Sequence, residues 1–186
     1  MMGFIGGIFG AIFNQINILL TKFRNHYVNK WYLMIAECMI VASMSAVVGF
    51  TLMYFKSDDC QPIGRDLVSK FPVQLFCNDG QYNAMAGLFF QTPEQSVRSL
   101  FHDPPGSFDP YTVTLFFFAY FILAAWTYGL AIPSGLFIPS ILIGAAWGRL
   151  VGIGVAHLIP SAHIDPGKYA LIGAAAMLGG MSTELE

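Results

Sequence analysis

Apolar residues in this chain come in long unbroken runs, without the regular polar interruptions of a helix lying on a protein surface. Met1 to Leu20 is one run, Leu33 to Phe55 a second, Tyr111 to Gly148 a third, and Tyr169 to Gly180 a fourth. One crossing of a hydrocarbon core of ~30 Å takes ~20 apolar residues. The first two runs therefore predict membrane helices, and the third is long enough for nearly two crossings. No Asp, Glu, Lys or Arg occurs in that third run, although Gly129, Pro133, Ser134, Gly135 and Pro139 break it in the middle. A helical hairpin would place a polar loop between its crossings, so this break is expected at membrane depth. Non-helical backbone is tolerated there only where protein covers it or it lines an aqueous cavity. Broken helices of this kind mark ligand sites in transporters. The pattern predicts an all-α polytopic membrane protein with segments at 1–20, 33–55, 111–130, 136–157 and 169–180 and a polar insert at 56–110.

Composition agrees with that class. Hydrophobic residues make up 55% of the chain and charged residues 11%, with a mean hydropathy of +0.59. The net charge of -2 and the lack of a dense basic run exclude a nucleic-acid partner. The first residues have no basic region ahead of the apolar run, so no cleavable signal is expected. Both ends fall inside apolar segments, which predicts a piece of a larger membrane domain.

Polar residues among the runs set the orientation. Lys22, Arg24, His26 and Lys30 form a short basic stretch followed by Trp31 and Tyr32. Such a stretch predicts a cytoplasmic loop with an aromatic interface behind it. The 56–110 insert then faces the lumen or exterior, where an oxidising compartment favours a disulfide between Cys60 and Cys77. Cys38 lies within a span and is expected as a buried hydrophobe. The insert has no N-x-S/T sequon. Thr92 followed by Pro93 signals a helix start, and His102 to Ser107 reads as a turn in preference to a metal site.

A few polar groups inside the runs carry two readings each. Asn14, Gln15 and Asn17 could line a pore or hydrogen-bond between helices. Glu37 could carry protons, or it could sit one turn from the interface against the positive end of its helix. Arg149 lies twelve residues, or ~18 Å, beyond Phe137. That distance predicts a place at a membrane surface, snorkelling to headgroups or attracting anions. Gly144, Gly148 and Gly152 recur every four residues and predict a close-packing helix face, as do Gly3, Gly6, Gly7 and Gly10. His157, His163 and Asp165 read as an interface loop.

The chain contains no HExxH, CxxC or Walker motif, and its spans carry almost no titratable groups, so enzyme chemistry is not expected. A helix starting at the break, in contrast, offers backbone N–H groups without intrahelical partners and the positive end of its dipole. Those features suit an anion. Ser134 and Gly135 allow close backbone approach, and Pro139 falls in the first turn, where a missing N–H costs least. A partial charge attracts chloride without trapping it, as conduction requires.

Gly135-Leu136-Phe137-Ile138-Pro139 resembles the G-x-F-x-P element of the CLC family of chloride channels and chloride/proton exchangers. The flanking runs W-T-Y-G-L, P-S-G-L-F-I-P-S-I-L-I-G-A-A-W-G-R-L and G-K-Y-A-L-I-G-A-A-A resemble the lysosomal branch of that family. So do the insert pieces Q-L-F-C-N-D-G-Q-Y-N-A-M-A and S-L-F-H-D-P-P-G-S. The resemblance covers Met1 to Gly180 and does not reach 181–186. It implies a homodimeric, voltage-dependent exchanger of chloride and protons in lysosomal or late endosomal membranes, with chloride as the transported ligand and no cofactor. It also implies a glycosylated single-span partner subunit, which would suit an insert without sequons. The family's contact with the central chloride falls on the backbone N–H groups of Leu136 and Phe137, with Gly135 and Ser134 at the approach. The G-S-G-x-P loop, the gating and proton-transfer glutamates, the pore tyrosine and the cytoplasmic CBS domains of the family have no counterpart here. The resemblance thus implies an incomplete pathway. The alternative is a truncated, non-transporting protein that associates with a full-length subunit.

Overall fold

The computed structural model describes residues 2–28, 30–62, 77–132, 135–158 and 165–182. Along them run α1 (Met2–Tyr27), α2 (Trp31–Phe55), β1 (Cys60–Pro62), β2 (Gln81–Asn83), α3 (Ala84–Phe89), α4 (Pro93–His102), α5 (Pro110–Thr127), α6 (Phe137–Leu158) and α7 (Pro166–Ser182). The two short strands pair antiparallel, with Cys60 opposite Asn83. The fold is all-α in substance, as the apolar runs predict. Among the described residues α1, α2, α5 and α6 are long and apolar enough to cross a membrane. Helix α7 has 17 residues and rises ~25 Å at 1.5 Å per residue, short of a full core.

Two glycine seams join the layers. Gly144 of α6 lies so close to α7 that a β-carbon there would sit 2.5 Å from the carbonyl oxygen of Gly173. Gly148 is pressed in the same way against the Tyr169 carbonyl, and Gly152 against Pro166. On the far side of α7, a β-carbon on Gly6 would lie 2.9 Å from Ala176, and one on Gly10 2.5 Å from the Gly180 carbonyl. Helix backbones in a bilayer gain dispersion contact from such approaches, because apolar burial against lipid adds little. Gly3 and Gly7 face open space, so the glycine-rich start of α1 packs along one edge only.

Between α1, α5 and α6 the seam is aromatic. Phe9 meets Phe117 at 5.4 Å and Trp147 at 5.3 Å between ring centroids, both edge to face, and Phe13 meets Phe121 at 5.8 Å. These are favourable quadrupole geometries as well as large buried areas. Phe13, Phe116 and Val113 are fully buried here.

The insert is built on local signals. The Thr92 hydroxyl accepts from the Gln95 N–H with Pro93 in the first turn, and buried Asn83 caps α3 by accepting from the Ala86 N–H at 2.9 Å. Cys60 and Cys77 form a disulfide, their Cα atoms 5.7 Å apart. Cys38 is a free thiol and only half-buried, so it is less enclosed than the sequence suggests. His102 and Asp103 form no group of metal-binding side chains among the described residues.

Arg149 differs most from expectation. It is 1% exposed, packed over the Phe108 ring at 4.7 Å, and does not snorkel. Its guanidinium donates to the carbonyl oxygens of Ser99 (3.2 Å), Leu100 (2.5 Å), Asp103 (2.8 Å) and Pro104 (3.2 Å). Ser99 and Leu100 lie in the last turn of α4, and Asp103 and Pro104 directly follow it, where the helix dipole is also negative. The insert covers this end of α6, so the surface expected ~18 Å from Phe137 is protein and not lipid headgroups.

Candidate functional site

The break joins the C-terminus of α5 to the N-terminus of α6, and the two ends are finished in opposite ways. Helix α5 stops at Thr127, and the Tyr128 N–H closes its last turn on the Ala124 carbonyl. Gly129 follows with φ +83°, the left-handed step that commonly ends a helix and that glycine takes without steric cost.

The carbonyls left over at that end are claimed from α1. Arg24 Nη2 donates to the Trp126 oxygen at 2.5 Å and Nη1 to the Tyr128 oxygen at 2.8 Å. Its Nε pairs with Glu37 of α2 at 2.6 Å. Sequence reasoning places Arg24 in a short cytoplasmic basic loop, and Glu37 either as a proton carrier or one turn from the interface at the positive end of its helix. The structure instead buries Arg24 in the last turns of α1 and joins it to Glu37. Only Val28, Lys30 and Asn29, whose own placement lies outside the described residues, separate the two helices.

Among the described residues, helix α6 begins without a corresponding clamp. The Leu136 carbonyl accepts from the Ser140 N–H at 3.1 Å, which makes Leu136 the capping residue and Phe137 and Ile138 the first two helical positions. Pro139 has no N–H to leave unpaired. The N–H groups of Leu136, Phe137 and Ile138 meet no acceptor among the described residues. The Phe137 side chain is 61% exposed, and a β-carbon added to Gly135 would touch nothing within 4 Å. Ser134, expected at the approach, lies outside the described residues, as do Pro133 and His163.

Gly135, Leu136 and Pro139 line a cavity of about 370 Å³. Across it stand Ser45 and Gly49 of α2, Phe89 and Phe90 around the end of α3, Tyr120 and Thr127 of α5, and Tyr128 just after it. No Lys, Arg, Asp or Glu is among its described lining residues. The positive element at this wall is thus the start of a 22-residue helix, whose macrodipole is equivalent to roughly half a charge. A dehydrated anion is the ligand such a wall can hold.

Three features of the site were not singled out from sequence: Ile138 as a third donor, the Ser45 and Thr127 walls, and the Arg24 clamp. The helix position of Ile138 follows once the helix start is known. The clamp joins residues more than 100 positions apart, and no local pattern signals it.

Comparison with known proteins identifies the family. A family model described as voltage gated chloride channel matches residues 1–184, which includes 181–184, where the motif resemblance had stopped. The mouse protein named H(+)/Cl(-) exchange transporter 7 is 57% identical over 181 residues, or 97% of this chain. The human protein of the same name is 56% identical. Chloride channel protein CLC-d of Arabidopsis thaliana is 34% identical over 97% of the chain. The chain spans about a fifth of the length of these relatives, 22% of the mouse and human proteins and 24% of the plant one. These relatives carry the names of transporters and channels, and the family match together with the four long apolar helices makes this a multi-pass membrane protein. The chain belongs to the voltage gated chloride channel family.

Proposed function

We propose that this chain forms part of a chloride/proton exchanger, a voltage-dependent antiporter of lysosomal or late endosomal membranes. Within it, the start of α6 forms one wall of a chloride site. The backbone N–H groups of Leu136 and Phe137 donate to the anion, Ile138 adds a third donor, and Gly135 leaves the approach unobstructed, with Ser134 assigned to the same approach by the motif. The observation that carries this reading is the open N-terminus of α6 beside a cavity without charged side chains. The transporter names of relatives at 57% and 56% identity support the exchange of chloride for protons. Assembly as a homodimer, with a glycosylated single-span subunit alongside, belongs to the same proposal.

Chemically the arrangement suits passage as well as binding. Donors fixed in a helix need no reorganisation when the ion arrives, and a dipole end binds more weakly than a guanidinium. The test is a chimera in which this chain replaces the matching segment of the mouse transporter, reconstituted in vesicles for flux measurement. Phe137→Pro removes one donor at the first helical position, where proline is well tolerated. Chloride flux at limiting chloride is expected to fall ~10-fold, the effect of one hydrogen bond to a charged ligand. Wild-type flux and anion selectivity in a folded Phe137→Pro chimera would contradict the reading.

A further inference from the structure

We propose that Arg24 is a positioning residue for the anion site, acting from α1 by fixing the chain where α5 ends. This rests on the reading of the α6 start as a chloride site, and it adds a residue that never touches the ion. Arg24 reaches two carbonyls, Trp126 at 2.5 Å and Tyr128 at 2.8 Å, and anchors its own third edge on Glu37 at 2.6 Å. The planar fork of a guanidinium can hold two acceptors and a carboxylate at once, so three helices are tied through one side chain. Tyr128, whose carbonyl is held, lines the same cavity as Gly135 and Leu136.

The turn itself is enclosed. Gly129 at φ +83° has Arg24 Nη1, Asn17 Oδ1 and Thr21 Oγ1 around the place a β-carbon would occupy, at 3.1, 3.5 and 3.7 Å. Asn17, Thr21 and Arg24 stand at three- and four-residue spacing on one face of α1. Asn17 is 8% exposed. This face grips the last turn of α5 and the step after it, and from that fixed point the chain runs to the donors at Leu136 and Phe137. Glu37 pairs with the guanidinium, so the clamp adds no net charge beside the anion path, and its effect is on geometry.

The experiment uses the mouse-transporter chimera, purified and reconstituted, with chloride as the probe. Arg24→Lys retains a cation for Glu37, but its single ammonium cannot reproduce the fork. Arg24→Gln removes the charge as well. Both are expected to raise the chloride KM about 10-fold while the maximal rate changes by less than about twofold. Gly129→Ala, which places a methyl against Nη1 in a left-handed step, is expected to raise KM in the same direction and keeps the test available if Arg24→Gln does not fold. Arg149→Gln is the control for a buried arginine away from the break, with a lower melting temperature and an unchanged KM. Wild-type KM in folded Arg24→Lys and Gly129→Ala, with KM raised in Phe137→Pro, would overturn the positioning role alone. Wild-type KM in Phe137→Pro as well would overturn the site and the positioning role together.

Discussion

The end of α5 and the start of α6 face the same break, yet one is closed and the other open. At the α5 end the chain supplies Arg24 to the Trp126 and Tyr128 carbonyls. The same solution recurs at α4, where Arg149 gathers four carbonyls. Both arginines are buried and bound to helix C-termini, where an unpaired carbonyl and the negative dipole end would each cost stability. The α6 start presents the complementary problem, three N–H groups and a positive dipole, and no described residue answers it. Under the proposed function the α6 start keeps its polar groups for a ligand, whereas the α5 and α4 ends are finished by the protein itself.

The comparison can be broken first at its closed side. Arg149→Ala would remove the guanidinium from four carbonyls and is expected to lose ~3–5 kcal/mol, as when one partner of a buried polar network is removed. Thermal unfolding of the purified chimera in detergent reads this loss, and chloride affinity should be unchanged in whatever fraction stays folded. A smaller loss follows from the Cys60–Cys77 bridge, which spans 17 residues. Replacing both cysteines by serine is expected to cost ~3 kcal/mol by releasing that loop in the unfolded chain. The same melt measures it, and again no change in chloride binding is expected.

Smaller still is a pH effect confined to the insert. Burial, reinforced by the Asp103 carboxylate, pushes the Tyr82 phenol from its ordinary value of 10.0 up to about 12. The unfolded chain then ionises Tyr82 at lower pH than the folded one. The contribution of the neutral phenol is present in full below pH 10 and is lost as pH rises from 10 towards about 12. Tyr82→Phe should flatten the fall in stability over that window, an effect of less than ~3 kcal/mol read from the melting temperature. An equally steep fall in the variant would place the alkaline sensitivity elsewhere.

Much of this architecture was legible because membrane helices follow from composition and length. The uncharged run from Tyr111 to Gly148, its glycines and prolines, and the Thr92-Pro93 signal each depend on near neighbours in sequence. Gly144 and Gly148 announced their packing face by period alone. The charges were harder to read. Lys22, Arg24 and His26 ended the first predicted segment at residue 20, whereas α1 continues to Tyr27, because a helix can carry an arginine that finds buried carbonyls. Arg149 was placed at a surface by measuring from Phe137, which took no account of an insert folding back over α6. In both cases the partner is a backbone oxygen, and a carbonyl has no signature in the sequence. The candidate site divides along the same line: Gly135 to Pro139 could be read directly, while Arg24 and its grip on the turn required the fold.

The most direct test of the open end is chloride affinity by titration calorimetry on the purified chimera, wild type against Phe137→Pro. Removing one backbone donor at a position where proline fits is predicted to weaken chloride binding ~10-fold with the melting temperature preserved. Equal affinities in two equally stable proteins would contradict the claim that the start of α6 binds the anion.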